Sequence, residues 1–227
     1  MFQAFCCCLC TLSMAQDEVR NKLGFYPTAS FLTGFPAGTF QSDFDRKVLF
    51  GFNVDGVITP VKKNHFWQPG AQIEFLLTGN KKDTWKGIEV ETGGAFIKLN
   101  LINRIRPSHT GKIDPFFEFA YGLNISSTTT NYQIIDEATF WEEFLLGQDD
   151  EIVTVELKDY TDTSSNLAIG IGAFIRNMVV VQLKYNVSPH IGFVTKEDIV
   201  VENERIDYRP TKSDMHTISL SIGISFM

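Results

Sequence analysis

The chain has 227 residues, 44% of them hydrophobic, and a formal net charge of −7, enough for one well-buried domain and short for two. No stretch approaches the ~20 consecutive apolar residues of a membrane-spanning helix, and the acidic balance excludes a basic footprint for nucleic acid. Mean hydropathy is −0.03, a neutral value that a membrane barrel also gives because only alternate residues meet lipid, and 20 phenylalanines are a heavy load for a soluble domain.

Residues 1–15 read as a secretory signal peptide. An apolar run, Phe5 to Leu12, is followed by the small-x-small site Ser13-Met14-Ala15, with Gln16 as the expected mature start. All four cysteines (Cys6, Cys7, Cys8 and Cys10) fall in this segment. The expected mature domain, residues 16–227, therefore has neither disulfides nor thiol chemistry.

Strict alternation then recurs eight times, and a period of two puts large apolar and small or polar side chains on opposite faces of a strand. Phe25, Pro27, Ala29 and Phe31 share one face of the first segment; Phe50, Phe52, Val54 and Ile58 share one face of the second. The third opposes Ala71, Ile73, Phe75 and Leu77 to Gln72 and Glu74, and the fourth opposes Ala95, Ile97, Leu99 and Leu101 to Phe96, Lys98 and Asn100. The fifth carries Phe117, Phe119, Tyr121 and Leu123 against Glu118, and the sixth Ile169, Ile171, Ala173 and Ile175 against small residues. In the seventh, Val179 to Val187 opposes Gln182, Lys184 and Asn186. The last runs from Ile218 to Phe226, with Ile222 and Ile224 against Gly223 and Ser225. In the fourth segment Glu89 and Glu91 share the apolar parity, so either they stand above a bilayer or Gly93-Gly94 is a bulge that flips the face.

The connections fall into two classes. Gly34 to Arg46, Gly79 to Lys86, Ser126 to Ser165 and Ser188 to Asp214 are long, while Pro60 to His65, Pro107 to Asp114 and Arg176-Asn177 are short. Short turns at one end and long loops at the other are the habit of outer-membrane barrels. The long loop Ser126 to Ser165 carries ten acidic side chains and one basic. Within it Asp136 to Gly147 reads as a short helix, with Phe140, Trp141, Phe144 and Leu145 as an apolar contact surface that packs over the barrel mouth, lies on the membrane or meets a partner. Ile152 to Tyr160 and Ile199 to Tyr208 alternate and extend their hairpins beyond the membrane.

The pattern predicts an all-β fold, an eight-stranded antiparallel up-and-down transmembrane β-barrel with long external loops, one carrying a short helix. On the Ala15/Gln16 junction, Pro69-Gly70-Ala71, Asp114-Pro115-Phe116 and the ending Ser221-Ile222-Gly223-Ile224-Ser225-Phe226, the chain resembles the PorT-like outer-membrane barrels of Bacteroidota, akin in architecture to the small barrel of OmpA. The resemblance implies location in a Gram-negative outer membrane and insertion by the barrel-assembly machinery, with Gly223 and Phe226 in the insertion signal. It implies no shared catalytic residue.

An eight-stranded barrel is just wide enough for side chains to fill, so the inward charges Asp55, Glu74, Lys98, Glu118 and Lys184 are expected to pair as a structural plug, or else to line a gated path. The histidines His65, His109, His190 and His216 lack zinc spacing, and Asp149-Asp150-Glu151 lacks a calcium-loop pattern; no metal, cofactor or catalytic residue is assigned. The expected role is non-enzymatic, structural or interactive, with outer-membrane lipid and other outer-membrane proteins as partners. Two alternatives stand beside it. A secreted lipocalin-like carrier would turn the large apolar faces inward, and a lipid-modifying membrane hydrolase would use Ser188 and His190.

Overall fold

The computed structural model describes residues 24–44, 47–60, 66–85, 88–107, 112–136, 151–156, 159–195, 198–202 and 205–226. Eight strands form a closed antiparallel ring: β1 (Phe25–Ala37), β2 (Leu49–Ile58), β3 (Trp67–Leu77), β5 (Ile88–Ile105), β6 (Ile113–Asp136), β8 (Tyr160–Ile175), β9 (Val179–Phe193) and β12 (Thr211–Ser225). Pairing of β12 with β1 and of β5 with β6 leaves no open edge in that ring. Two short strands, β4 (Lys81–Trp85) and β7 (Glu151–Glu156), pair with the loop-end extensions of β5 and β6.

The register fixes the barrel's shape. A path perpendicular to the strands leaves Tyr26 and crosses Val57, Gly70, Ile102, Ala120, Ala168, Asn186 and Thr217. It re-enters β1 at Pro36, ten residues above its start. That stagger over eight strands tilts them by about 40° and leaves an interior that side chains fill. At β12 the wall is so close to its neighbour that a Cβ on Gly223 would collide with the Ala29 carbonyl and Ser30. A larger residue there would push β12 off β1.

Facing is opposite to that of a soluble protein. Leu101 and Ile169 are 66% exposed on the outer wall, whereas Glu74 and Lys98 are 0% exposed inside. Phe66, Trp67 and Phe226 add exposed aromatic rings at the turn end, and Phe35 and Phe50 at the loop end. A carrier of apolar ligands would need the reverse, so the orientation of the alternating faces removes the physical basis of the lipocalin-like alternative.

Four local features depart from simple alternation. Gly93 and Gly94 stay in register with Thr129 and Thr128, so β5 does not flip there and Glu91 keeps the outward parity. The extra residue is on the opposite side, where Leu77 to Lys81 spans four steps against three from Ala95 to Thr92. A second bulge lies between β9 and β12: Ser213 pairs with Ile191 but Met215 with Ser188, and His190 adopts φ 52°. It turns Ile191 and Phe193 inward, where both are buried. Ile199–Tyr208 does not lengthen the β9/β12 hairpin as expected but makes its own hairpin of β10 (Ile199–Glu202) and β11 (Arg205–Tyr208). Finally, the long connection after β1 contains a helix, α1 (Thr39–Phe44), whose Phe40 is fully buried.

At the turn end, Arg176 and Asn177 both have positive φ, 51° and 57°, the geometry of a two-residue hairpin turn. Asn177 tolerates that conformation and uses its side chain as well, accepting a hydrogen bond from Arg106.

Candidate functional site

Among the described residues, the strands, with Arg106 one residue beyond β5, deliver eight fully buried charges to the interior, four cationic and four anionic: Lys98, Arg104, Arg106 and Lys184 with Asp55, Glu74, Asp114 and Glu118. They form a ladder. Arg106 lies nearest the turns, bonded to Asp114 at 2.7 Å and to Asn177 at 2.8 Å. Above it Arg104 bridges β5 to two strands, donating to Glu118 at 2.7 and 3.0 Å and to Asp55 at 3.1 Å. The other Glu118 oxygen lies 2.9 Å from Lys184 and accepts from Gln182 at 2.8 Å. Lys184 reaches Glu74 at 2.9 Å and Gln72 at 2.6 Å. Lys98 completes the ladder, 3.8 Å from Glu74 and donating to Thr217 at 3.3 Å.

Two apolar layers enclose the ladder. At the turn end the tilted rings of Phe116 and Phe174 lie 5.0 Å apart beside Val180, with the guanidinium of Arg104 4.6 Å from the Phe116 ring and that of Arg106 4.6 Å from the Phe174 ring. Cation–ring contact of this kind offsets part of the lost hydration. At the loop end Phe40 packs edge-on to Phe96 and Phe193, among Leu32, Leu49, Leu76, Ile191 and Met215. Between ladder and plug, Asn124, Asn166 and Ser188 are joined by hydrogen bonds of 3.0 Å.

A buried ion left alone costs several kcal/mol, whereas one held by two or more counter-charges with good geometry does not. Glu118, Glu74 and Arg104 each touch two opposite charges. The arrangement holds the wall at fixed diameter and fills its bore. The sequence-predicted charges Asp55, Glu74, Lys98, Glu118 and Lys184 thus meet in one cluster, while Arg104, Arg106 and Asp114 were missed. Carrying the parity of Lys98 down the strand through Asn100 and Ile102 would have found both arginines.

Other residues that the sequence singles out are dispersed. Ser188 is buried inside and bonded to Asn166, whereas the His190 side chain is 84% exposed and 3.3 Å from Asp214. The bulge puts them on different faces, so the shared-face geometry of the hydrolase alternative does not form. His216 meets Tyr185 across the wall, 2.7 Å from the phenol oxygen. Phe226 is exposed, and its N–H donates to the Pro27 carbonyl at 3.0 Å. Phe140, Trp141, Phe144, Leu145, Asp149 and Asp150, with the helix expected after Asp136, lie outside the described residues.

No protein-family model matches the sequence, and no curated protein is similar to it. Solved structures are similar. Ail, the attachment invasion locus protein of Yersinia pestis, is 11% identical, with 89% of this chain and 96% of that chain covered and a TM-score of 0.42. A major outer membrane protein from Thermus thermophilus is 11% identical over 89% and 99% of the two chains, with a TM-score of 0.48. Neisserial surface protein A is 12% identical over 89% and 96%, with a TM-score of 0.38.

Proposed function

We propose that this chain is an integral barrel of a Gram-negative outer membrane, inserted by the barrel-assembly machinery, whose own bore is sealed and whose specific work is non-enzymatic contact through its long external loops. The observation that carries the reading is the inverted facing: a continuous exposed apolar wall around eight buried, charge-balanced ions. In water such a wall would drive aggregation; against lipid it matches a band about 25 Å tall between aromatic rings. The ladder fills the bore, so a role in general diffusion through it has no support, and the loop end is left as the working surface. A finer place among the PorT-like proteins of Bacteroidota, as accessory subunit of a larger assembly, rests on the strand pattern alone.

Heat-modifiable migration on a detergent gel, with fractionation to the outer membrane, is the expected result. A chain that stays monomeric and folded in buffer without detergent would sink the proposal. Purification in mild detergent then tests the accessory role, which requires another outer-membrane protein to co-purify.

A further inference from the structure

At the loop end, one hairpin tip stands without a strand partner on either flank. Pairing of β8 with β9 runs upward until Leu167 meets Val187 and stops there. Yet β8 continues along β6 to Tyr160, and β9 continues along β12 to Phe193. On the other flank, pairing of β12 with β1 stops where His216 meets Ala37. Among the described residues, 188–193 and 211–215 therefore pair with each other and with no further strand. Leu167 and Val187 are also the last apolar outward residues before Ser165 and Thr163 on β8 and Pro189 and His190 on β9. Backbone groups that face hydrocarbon must be paired within the wall, and above that boundary the requirement ends.

The sequence replaces the missing ladder with side-chain bridges. Pro189 has no N–H to offer a neighbouring strand, and the bulge between Ser213 and Met215, with His190 at φ 52°, sits at the base of the tip. Across the gap Ser164 donates to the Pro189 carbonyl, and the Gly192 N–H donates to the Asp162 carboxylate at 2.8 Å. From β6, Ser126 donates to the Gly192 carbonyl at 2.6 Å. Inward, the tip carries Ile191 and Phe193, both fully buried, with Phe193 edge-on to Phe40 at 5.5 Å. Beyond them lie the layer of Asn124, Asn166 and Ser188 and then Lys98, the loop-end member of the ladder.

We infer that this hairpin tip is a hinged lid over the loop-end mouth of the bore. It swings at the bulge and at the boundary where Leu167 meets Val187, and below that line β9 and β12 keep a strand on both sides. Opening breaks the bridges from Ser164, Asp162 and Ser126 and lifts Ile191 and Phe193 off Phe40. Local opening starts where bonds to neighbouring elements are fewest, and this tip has side-chain bridges where the rest of the wall has a backbone ladder. External solvent then reaches as far as Lys98, while the pair of Arg106 and Asp114 stays shut at the turn end. The result is a vestibule on the loop side and not a through-channel. The lid rests on the membrane reading only for why pairing ends where it does, which the solubility test above decides separately.

The test places a cysteine in the folded full chain in phosphatidylcholine nanodiscs, either Met215→Cys on the inner face of the lid or Ser221→Cys below it. Both positions are buried, and Ser221 pairs with Leu32 on one side and Gln182 on the other. Modification by added N-ethylmaleimide is read at each position by peptide mass spectrometry, with heat-modifiable migration as the check on folding. Position 215 should react faster than position 221. Ser164→Ala with Asp162→Ala should quicken position 215 about tenfold, the effect of losing one to two net hydrogen bonds, and leave position 221 unchanged. Ser127→Ala, on a stretch of β6 paired on both sides, should change neither. Equal rates at 215 and 221 in the parent chain overturn the lid, as does an unchanged rate at 215 in the folded double variant. Equal acceleration at both positions assigns the bridges to the stability of the whole barrel and overturns it too.

Discussion

Toward the turns, the bore is filled by Arg104, Glu118, Lys184 and Glu74 in mutual contact; toward the loops, it is filled by Phe40, Phe96, Phe193 and Met215. Both storeys exclude solvent, yet they draw their side chains from different places. Arg104, Glu118, Lys184 and Glu74 all stand on strands of the ring, at a register fixed by the neighbours on both sides. The apolar storey takes Phe40 from α1 in a loop, and Ile191 and Phe193 from the bulged end of β9. Ion pairs are directional and costly when misaligned, so they belong where the backbone is most constrained. Apolar contact is non-directional and accepts a side chain delivered by a loop.

The largest effect should come from breaking the ionic storey at its centre. Glu118→Ala leaves Arg104 and Lys184 each short of a counter-charge and is expected to cost about 3–5 kcal/mol, read by urea unfolding of the barrel in lipid vesicles. The double change Glu118→Gln with Lys184→Gln should cost less than the sum of its parts, because the two remove one shared interaction. A loss below about 1 kcal/mol for Glu118→Ala would mean that water replaces the carboxylate and that the storey is not dry. Phe40→Ala should cost about 3 kcal/mol by opening a cavity in the plug. Hydrogen exchange should rise around Phe96 and Phe193 and stay unchanged around Arg104. Faster exchange at Arg104 would join the two storeys into one cooperative unit.

The outer face supplies the control for the inner one. Leu101→Arg places on the lipid side the same charge that the interior holds at Arg104, without its carboxylates. About 2–3 kcal/mol should be lost in vesicles for a mid-wall position; an unaffected barrel would mean that Leu101 does not face lipid.

The contrast between storeys also explains what could be read from the chain. Asp55, Glu74, Lys98, Glu118 and Lys184 were legible because a strand repeats every two residues, so their neighbours of like parity had to face the same way. The eight-strand ring was legible for the same reason, reinforced by the split into short and long connections. Phe40 was hidden in a loop, where period two carries no information. Ile191 and Phe193 were hidden by a bulge, since one added residue reverses every later side chain. Of the two readings offered at Gly93-Gly94, the one that keeps Glu91 on the outward parity agrees with the unbroken β5/β6 register. The bulge on β5 does not form, and the extra residue lies on the β3/β4 side. Glycine marks close approach as readily as it marks a bulge.

The smallest expected effect lies at the rim of the apolar storey, where Asp162 ties β8 to β9. Its carboxylate accepts from the Gly192 N–H at 2.8 Å and the Thr163 N–H at 2.9 Å and stands 3.5 Å from Lys212. Partial burial works against the charge, but those two N–H groups and the Lys212 ammonium outweigh it and hold the carboxyl below its ordinary range. A carboxyl depressed in the folded state stabilises at pH values above its unfolded pKa of about 3.9 and loses that contribution as pH falls through the folded value. Hydrogen exchange at Gly192 and Thr163 should therefore quicken relative to the rest of β9 only below about pH 4, after correction for the intrinsic rate. Asp162→Asn should abolish that extra acid sensitivity. If the variant kept it, the latch would belong to another group, and the loop end would open independently of this carboxylate.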